Sequence, residues 1–377
     1  MSESLESAVT TPSDPVEAAR SKVGAKQIVA FVFGLVVVVA IFVFAIPKFA
    51  DYGAVWEAMK VLTPVELWTL VAAMLFNLFT YWLANQAALP GLRLSQSAVV
   101  TQTGTTVANT LPAGGAIAIG VTYAILGSWG FTAGEATLFV GVTGIWNIFT
   151  KLALPVLALA LLVLTGDTYP ALVGAAALGI AVLVVAIVLL ALVFKSERMA
   201  RRVGEFLGRM ISAVLRPFHR GPITGMGDRA AKFRRETIIL VRRRWFRLTW
   251  TTLLSQLALF FVLLLSLRHM GVSEQEVPAV QVFAVYAFSR LLSSVPITPG
   301  GVGVIDLGYI GGLTAFATTE EAAIVAAVLL FRVLTYGIQI PIGAVTYVIW
   351  RRKKSWMRDT PPSGSIAGEL AAQAPTT

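Results

Sequence analysis

Cysteine is absent from this 377-residue chain. That excludes a disulfide framework, a thiolate metal site and a cysteine nucleophile. Histidine is nearly absent too: the two residues, His219 and His269, both fall in connecting segments and leave little for a zinc site. Charge is scarce. Asp, Glu, Lys and Arg make up 13% of the chain, against about 25% in ordinary soluble domains. No Gly-Lys-Ser/Thr follows the glycine-rich strings, so a phosphate-cradling nucleotide loop is not expected. No Asp-rich motif stands on any connecting segment, and neither His has acids spaced around it as a metal site would need, so no metal and no cofactor is expected either.

What the chain has in excess is apolar length. Hydrophobic residues make up 56% of it and the mean hydropathy is +0.77. Apolar runs recur at the length needed to cross about 30 Å of hydrocarbon. Water cannot satisfy the backbone there, so the expected fold class is an all-α polytopic membrane protein. Spans are expected at 27–47, 65–89, 133–166, 169–194, 248–267 and 320–350. Residues 1–26 read as a polar tail before a retained anchor, and 351–377 as a polar tail after the last span.

Two further apolar stretches are interrupted. The stretch 97–127 breaks at Asn109-Thr110-Leu111-Pro112-Ala113-Gly114-Gly115. Its arms of about 11 residues would each reach about 16 Å, half a bilayer. The stretch 279–317 breaks at Pro296-Ile297-Thr298-Pro299-Gly300-Gly301-Val302-Gly303.

The net charge of +10 is concentrated in 195–247, where fifteen Lys and Arg meet four acids. A basic segment beside spanning helices is expected on the cytoplasmic side, facing anionic lipid rather than nucleic acid. The same rule puts both termini inside and makes this a multi-pass protein of the cytoplasmic membrane. Parity then requires each broken stretch to enter and leave on one face, as a re-entrant hairpin. Trp245, Trp250, Trp350 and Trp356 flank the expected inner ends.

The halves 27–194 and 248–350 follow one plan: span, broken hairpin, long span with an internal proline. Pro112 lies 43 residues before Pro155, and Pro299 lies 42 before Pro341. Glu135 and Glu321 open the long helices. The halves run in opposite directions, which is the pattern of an inverted-topology repeat with a binding site where broken helices meet.

Ionisable residues inside apolar stretches cost about 2.5–3.5 kcal/mol each on insertion scales and usually face a cavity or a partner. Arg290, Asp306 and Arg332 are such residues, and Lys151 is another, read as snorkelling to an interface. An Arg290–Asp306 or Arg332–Asp306 ion pair that only ties helices together stands beside a headgroup-binding or proton-linked role. Asn77, Asn85, Gln86, Gln102, Asn109, Asn147 and Gln256 read more as interhelical glue than as ligands. His269 reads as a solvated loop residue.

The string from Val295 to Asp306 resembles the Pro-x-x-Pro-Gly-Gly-Leu-Gly-x-x-Glu signature of the lysylphosphatidylglycerol synthase transmembrane-region family. Asn109-x-x-Pro112-x-Gly114-Gly115 looks like that family's first broken segment. The resemblance covers about residues 27–352 in layout, with two departures. Asp306 replaces the usual Glu, and Ala116 to Gly120 hold no Arg where several relatives place one. No soluble aminoacyltransferase region accompanies it, so the resemblance implies the flippase part in stand-alone form.

The implied function is translocation of a phospholipid or lipid-linked headgroup between leaflets. The alternative is a membrane-embedded transferase, or an accessory subunit, acting on lipid or polyprenyl-phosphate substrates. Anionic or aminoacylated phospholipid is the expected partner, and a separate lipid-modifying enzyme and a second copy of the chain stand as candidates. The candidate substrate-binding residues are Arg290, Thr298, Pro299, Gly300, Gly301, Gly303, Asp306 and Arg332, with Asn109, Pro112, Gly114 and Gly115 from the first break. Glycine there admits close backbone approach, and half-helix N-termini favour an anion.

Overall fold

The computed structural model describes residues 62–111, 114–166, 194–215, 225–294, 301–317 and 321–358, with single positions at 53–60, 180–192 and 360–366. The expected spans 27–47 and 169–194 lie wholly or largely outside these residues. Every element that the described residues form is helical. In order they are α1 (Pro64–Ala88), α2 (Leu94–Thr110), α3 (Gly114–Ser128), α4 (Ala133–Leu164), α5 (Glu197–Leu215), α6 (Met226–His269), α7 (Ala279–Leu292), α8 (Val304–Thr314), α9 (Glu321–Arg332) and α10 (Gln339–Arg352). A π-helical turn, Val333–Gly337, joins the last two. Among the described residues, Pro64–Ala88, Ala133–Leu164, Met226–His269 and Glu321–Arg352 are long and apolar enough to cross a membrane. Val65, Trp68, Phe76, Phe79, Ile148, Val163 and Phe261 stand exposed on them, as an apolar solvent permits.

Local chemistry sets the helix starts. Thr63 and Thr132 cap α1 and α4, each accepting from the backbone N–H of a Glu three residues on, Glu66 or Glu135, whose carboxylate returns the bond. Glu135 thus stands at a helix N-terminus, as its place in the sequence suggests. His269 departs from expectation. It is the last residue of α6, its ring Nε2 is 2.9 Å from the Thr69 hydroxyl, and its Nδ1 is 3.8 Å from Glu66.

α1 and α6 pack antiparallel, as three contacts along their length show: Thr69–His269, Asn77–Ser255 and Gln86–Arg247. The Arg247 end defines a basic face and the His269 end the opposite face. The first broken stretch leaves and returns on the basic face. The Ser97 hydroxyl donates to the Trp82 carbonyl at its start, and Trp350 Nε1 donates to the Ser128 hydroxyl at its end. Between them Gly104 faces Thr122, and Gly114 sits so close to the Val107 and Ala108 carbonyls that a Cβ would approach to 2.5 Å. This is a helical hairpin, α2–α3. Its arms of 17 and 15 residues are longer than the half-bilayer arms expected. α2 starts three residues early because its first turn is polar and carries no apolar signal.

The second stretch folds the same way from the opposite face: Ser289 meets Gly308 and Val285 meets Gly312, so α7 and α8 run antiparallel. The halves α1–α4 and α6–α10 therefore repeat with inverted direction. They are also interlocked, since α2 packs along α10, and α7 along α4. A buried cluster accompanies each hairpin. Val99, Ile125, Trp129 and Leu138 mark the one on the basic face, and Leu263, Tyr286, Tyr309 and Ile324 the other.

The described parts of the basic segment are helical. α5 leaves Val203, Phe206, Leu207 and Met210 exposed on one side, the pattern of a helix lying in a membrane interface. Glu197 binds Arg201 and Arg235, and Asp228 binds Arg201, tying α5 to α6. The compositional boundary at residue 247 falls inside α6.

Because the native chain lacks cysteine, the hairpin geometry is directly testable. Single cysteines at Arg93, Ala133 and Arg352 should react with an impermeant thiol reagent from one face, and a cysteine at Gly271 from the other. Labelling of positions 93 and 133 from opposite faces would make α2–α3 a single broken span in place of a hairpin.

Candidate polar cavity between the halves

A cavity of about 300 Å³ opens where the two halves meet. α1 contributes Asn77 and Tyr81, and α2 contributes Thr101, Gln102, Thr105 and Asn109. α4 contributes Lys151, α7 contributes Arg290, and α8 contributes Tyr309. Arg332, Thr335, Tyr336 and Gln339 come from the α9–α10 turn. Such a wall needs helices that stop or loosen at mid-depth, and the sequence supplies both devices.

The loosening is at Val333–Gly337. Pro341 has no N–H to give the Gly337 carbonyl, and the ladder widens there, with Ile338 N–H donating to the Val333 carbonyl at 2.8 Å. The Thr106 hydroxyl from α2 donates to the Gln339 carbonyl at 2.9 Å, and the Tyr336 hydroxyl to the Asn109 carbonyl at 2.8 Å. The break in the first half is thus stitched to the widened turn in the second. π-Turns of this kind recur at functional sites because they turn side chains out of register.

The stopping is at Gly301-Val302-Gly303, which lead into α8. Gly301 and Gly303 have φ of +71° and +84°, a region open to glycine and strained for other residues. A Cβ on Gly301 would lie 2.1 Å from the Ile305 side chain. What presses on that glycine among the described residues is the chain's own helix. Asp306 closes the turn by accepting the Gly303 N–H at 2.7 Å.

Of the two ion pairs open on sequence, the fold forms one. Asp306 Oδ1 lies 2.6 Å from Arg332 Nε, with the carboxylate 1% exposed. The contact is ionic, without the alignment of a hydrogen bond at that oxygen. The Arg332 guanidinium also lies over the Tyr336 ring, 4.9 Å from its centroid. Arg290 takes neutral partners instead: Gln256 Oε1 at 3.1 Å and the Tyr81 hydroxyl at 3.4 Å. Tyr286 donates to the Gln256 carbonyl at 2.7 Å and holds that Gln in place.

Arg290, Arg332 and Asn109 therefore come together on the cavity wall, with Asp306 behind Arg332. Gly301, Gly303 and Gly114 shape the turns, and Gly115 has no heavy atom within 4 Å of where a Cβ would stand. Pro112, Thr298, Pro299 and Gly300 lie outside the described residues. The structure adds residues that sequence reasoning left out. Lys151 stands on the cavity wall rather than at an interface. Tyr81, Tyr336 and Gln102 join it. Tyr336 had a readable signal, an aromatic ring four residues after an arginine on one helical face. Asn77, Asn85, Gln86 and Gln256 do bridge elements, bonding to Ser255, Thr101, Arg247 and Tyr286 respectively.

The chain matches the family described as the Lysylphosphatidylglycerol synthase TM region over residues 31–343. It belongs to that family. The match takes in both broken hairpins and the whole cavity wall, and ends two residues beyond Pro341. A comparison with curated proteins finds no match. Membership in this family supports a multi-pass membrane protein related to lipid handling.

Proposed function

We propose that this family member is a lipid translocase of the cytoplasmic membrane, with its basic face inside. It passes the headgroup of an anionic or aminoacylated phospholipid between leaflets through the cavity between its halves. The observation that carries the reading is a cavity at the meeting of two inverted broken hairpins, walled by Lys151, Arg290 and Arg332 within otherwise apolar helices. Cations at that depth are expensive, and a charged headgroup passing through hydrocarbon needs such a lining. The volume of about 300 Å³ suits a headgroup whose acyl chains stay in the bilayer.

The test is leaflet transfer in proteoliposomes holding headgroup-matched lipids with a chain-linked fluorophore, read by dithionite quenching. Wild type should expose inner-leaflet probe well above protein-free vesicles. Arg290→Gln should slow transfer about tenfold or more, the worth of one charge-assisted contact of about 1.5–3 kcal/mol. It should do so without loss of folding, because the partners of Arg290 are neutral. Transfer at the protein-free rate for anionic and aminoacylated lipids alike would remove the translocase reading.

A further inference from the structure

The cavity is rich in donors and poor in acceptors of negative charge. Among the described residues that line it there is no Asp or Glu. Asp306, just behind it, is occupied on both oxygens, by Arg332 and by the Gly303 N–H. The Lys151 ammonium has no hydrogen-bond or ionic partner among the described residues, and it stands close enough to Arg290 to feel its charge. Arg290 bonds neutral groups alone among those residues. The side-chain nitrogen of Gln102, a residue 1% exposed, faces no acceptor.

Buried donors are normally satisfied, and like charges brought together in a medium of low dielectric repel strongly. A ligand with several negative oxygens answers all three groups at once. An ammonium group answers none, and it would meet two cations with no free carboxylate.

We propose that the cavity selects a phosphate monoester headgroup, held by Lys151, Arg290 and Gln102, and excludes headgroups that carry an ammonium. Such a monoester carries about −1.5 to −2 charge at neutral pH, which matches the two cations not engaged by Asp306. A phosphodiester carries one charge and leaves a cation unanswered. This rests on the cavity being the headgroup site of the translocase reading, and it narrows that reading's substrates from anionic or aminoacylated lipids to anionic ones.

The experiment measures binding to the full chain in nanodiscs, using short-chain phosphatidic acid, phosphatidylglycerol, phosphatidylethanolamine and aminoacylated phosphatidylglycerol, with inorganic phosphate as competitor. Phosphatidic acid should bind about tenfold or more tighter than phosphatidylethanolamine, with phosphatidylglycerol between them. Lys151→Gln should erase about tenfold of the phosphatidic acid affinity and leave phosphatidylethanolamine nearly unchanged, and Lys151→Arg should restore it. Gln102→Met, which removes one donor, gives a second reading should the Lys151 variant fail to fold. Displacement by inorganic phosphate supports recognition of the phosphate group alone. Retention of the lipid against it, with the monoester preference intact, supports recognition of the anchored form.

Equal or tighter binding of either ammonium-bearing lipid overturns the inference. So does unchanged affinity in a folded Lys151→Gln protein. Monoester selectivity without leaflet transfer would leave the inference standing and remove the translocase; transfer without headgroup preference would do the reverse.

Discussion

Asp306→Asn is expected to lose about 3–5 kcal/mol of stability, the usual consequence of leaving one member of a buried ion pair without its partner. The asparagine amide can still accept the Gly303 N–H through its oxygen. That turns its NH₂ toward Arg332, and two donors then face each other where 2.6 Å separated opposite charges. Arg332→Gln should be milder. A lone buried carboxyl can take up a proton and become neutral, whereas a guanidinium stays charged at any accessible pH. The double variant should recover much of the loss, because no buried charge is then left alone. Thermal unfolding of the three purified proteins, followed by size-exclusion chromatography, checks the order. If Asp306→Asn is as stable as wild type, the pair contributes little to the second hairpin and Asp306 is free for another role.

The second large effect is expected at Gly343, where α2 and α10 cross. A Cβ there would lie 1.9 Å from the Thr106 hydroxyl oxygen and 2.4 Å from the Gln102 carbonyl. Even alanine must push the helices apart, so Gly343→Ala should cost about 1–3 kcal/mol or more. It should also break the Thr106 bonds to the Gln339 and Ile340 carbonyls that hold the widened turn. Thr106→Ala should relieve the clash only in part, since the Gln102 carbonyl belongs to the backbone. Gly115→Ala is the control, with nothing within 4 Å of the added methyl, and its small gain in helix propensity should leave stability equal or higher. A Gly343→Ala protein with wild-type stability and yield would show that the crossing is looser than the structure draws it.

The two hairpins were legible because Pro and Gly fall together in each interruption of an otherwise continuous apolar run, where proline removes a helix donor and glycine admits a turn. The inverted plan was legible from charge parity, since Arg and Lys cluster at the Arg247 end of α6 and the Arg352 end of α10, which share a face. The length of α2 was not, because Leu94–Thr110 is built from Ser, Thr and Gln and shows no apolar periodicity. Its polarity makes sense once it is seen to line a cavity. Nor was the choice of ion pair legible. Arg290 and Arg332 both lie within reach of Asp306 by sequence spacing, and the decision rests on Gln256 and Tyr81, which sit on other helices and claim Arg290 first. Lys151 looked like a residue near a membrane surface because nothing in α4 reveals that α7 brings Arg290 beside it.

The interlocking of the halves has a mechanical consequence. α2 lies along α10 and α7 along α4, so each hairpin leans on the long helix of the opposite half. Rocking one half as a block would peel both hairpins from their supports at once. The displacement that keeps these contacts pairs the pieces differently: a hairpin travels with the opposite half's long helix, like the crossed arms of a pair of tongs. The fixed joint of such a device lies at the α1–α6 seam, where Asn77 is buried against Ser255.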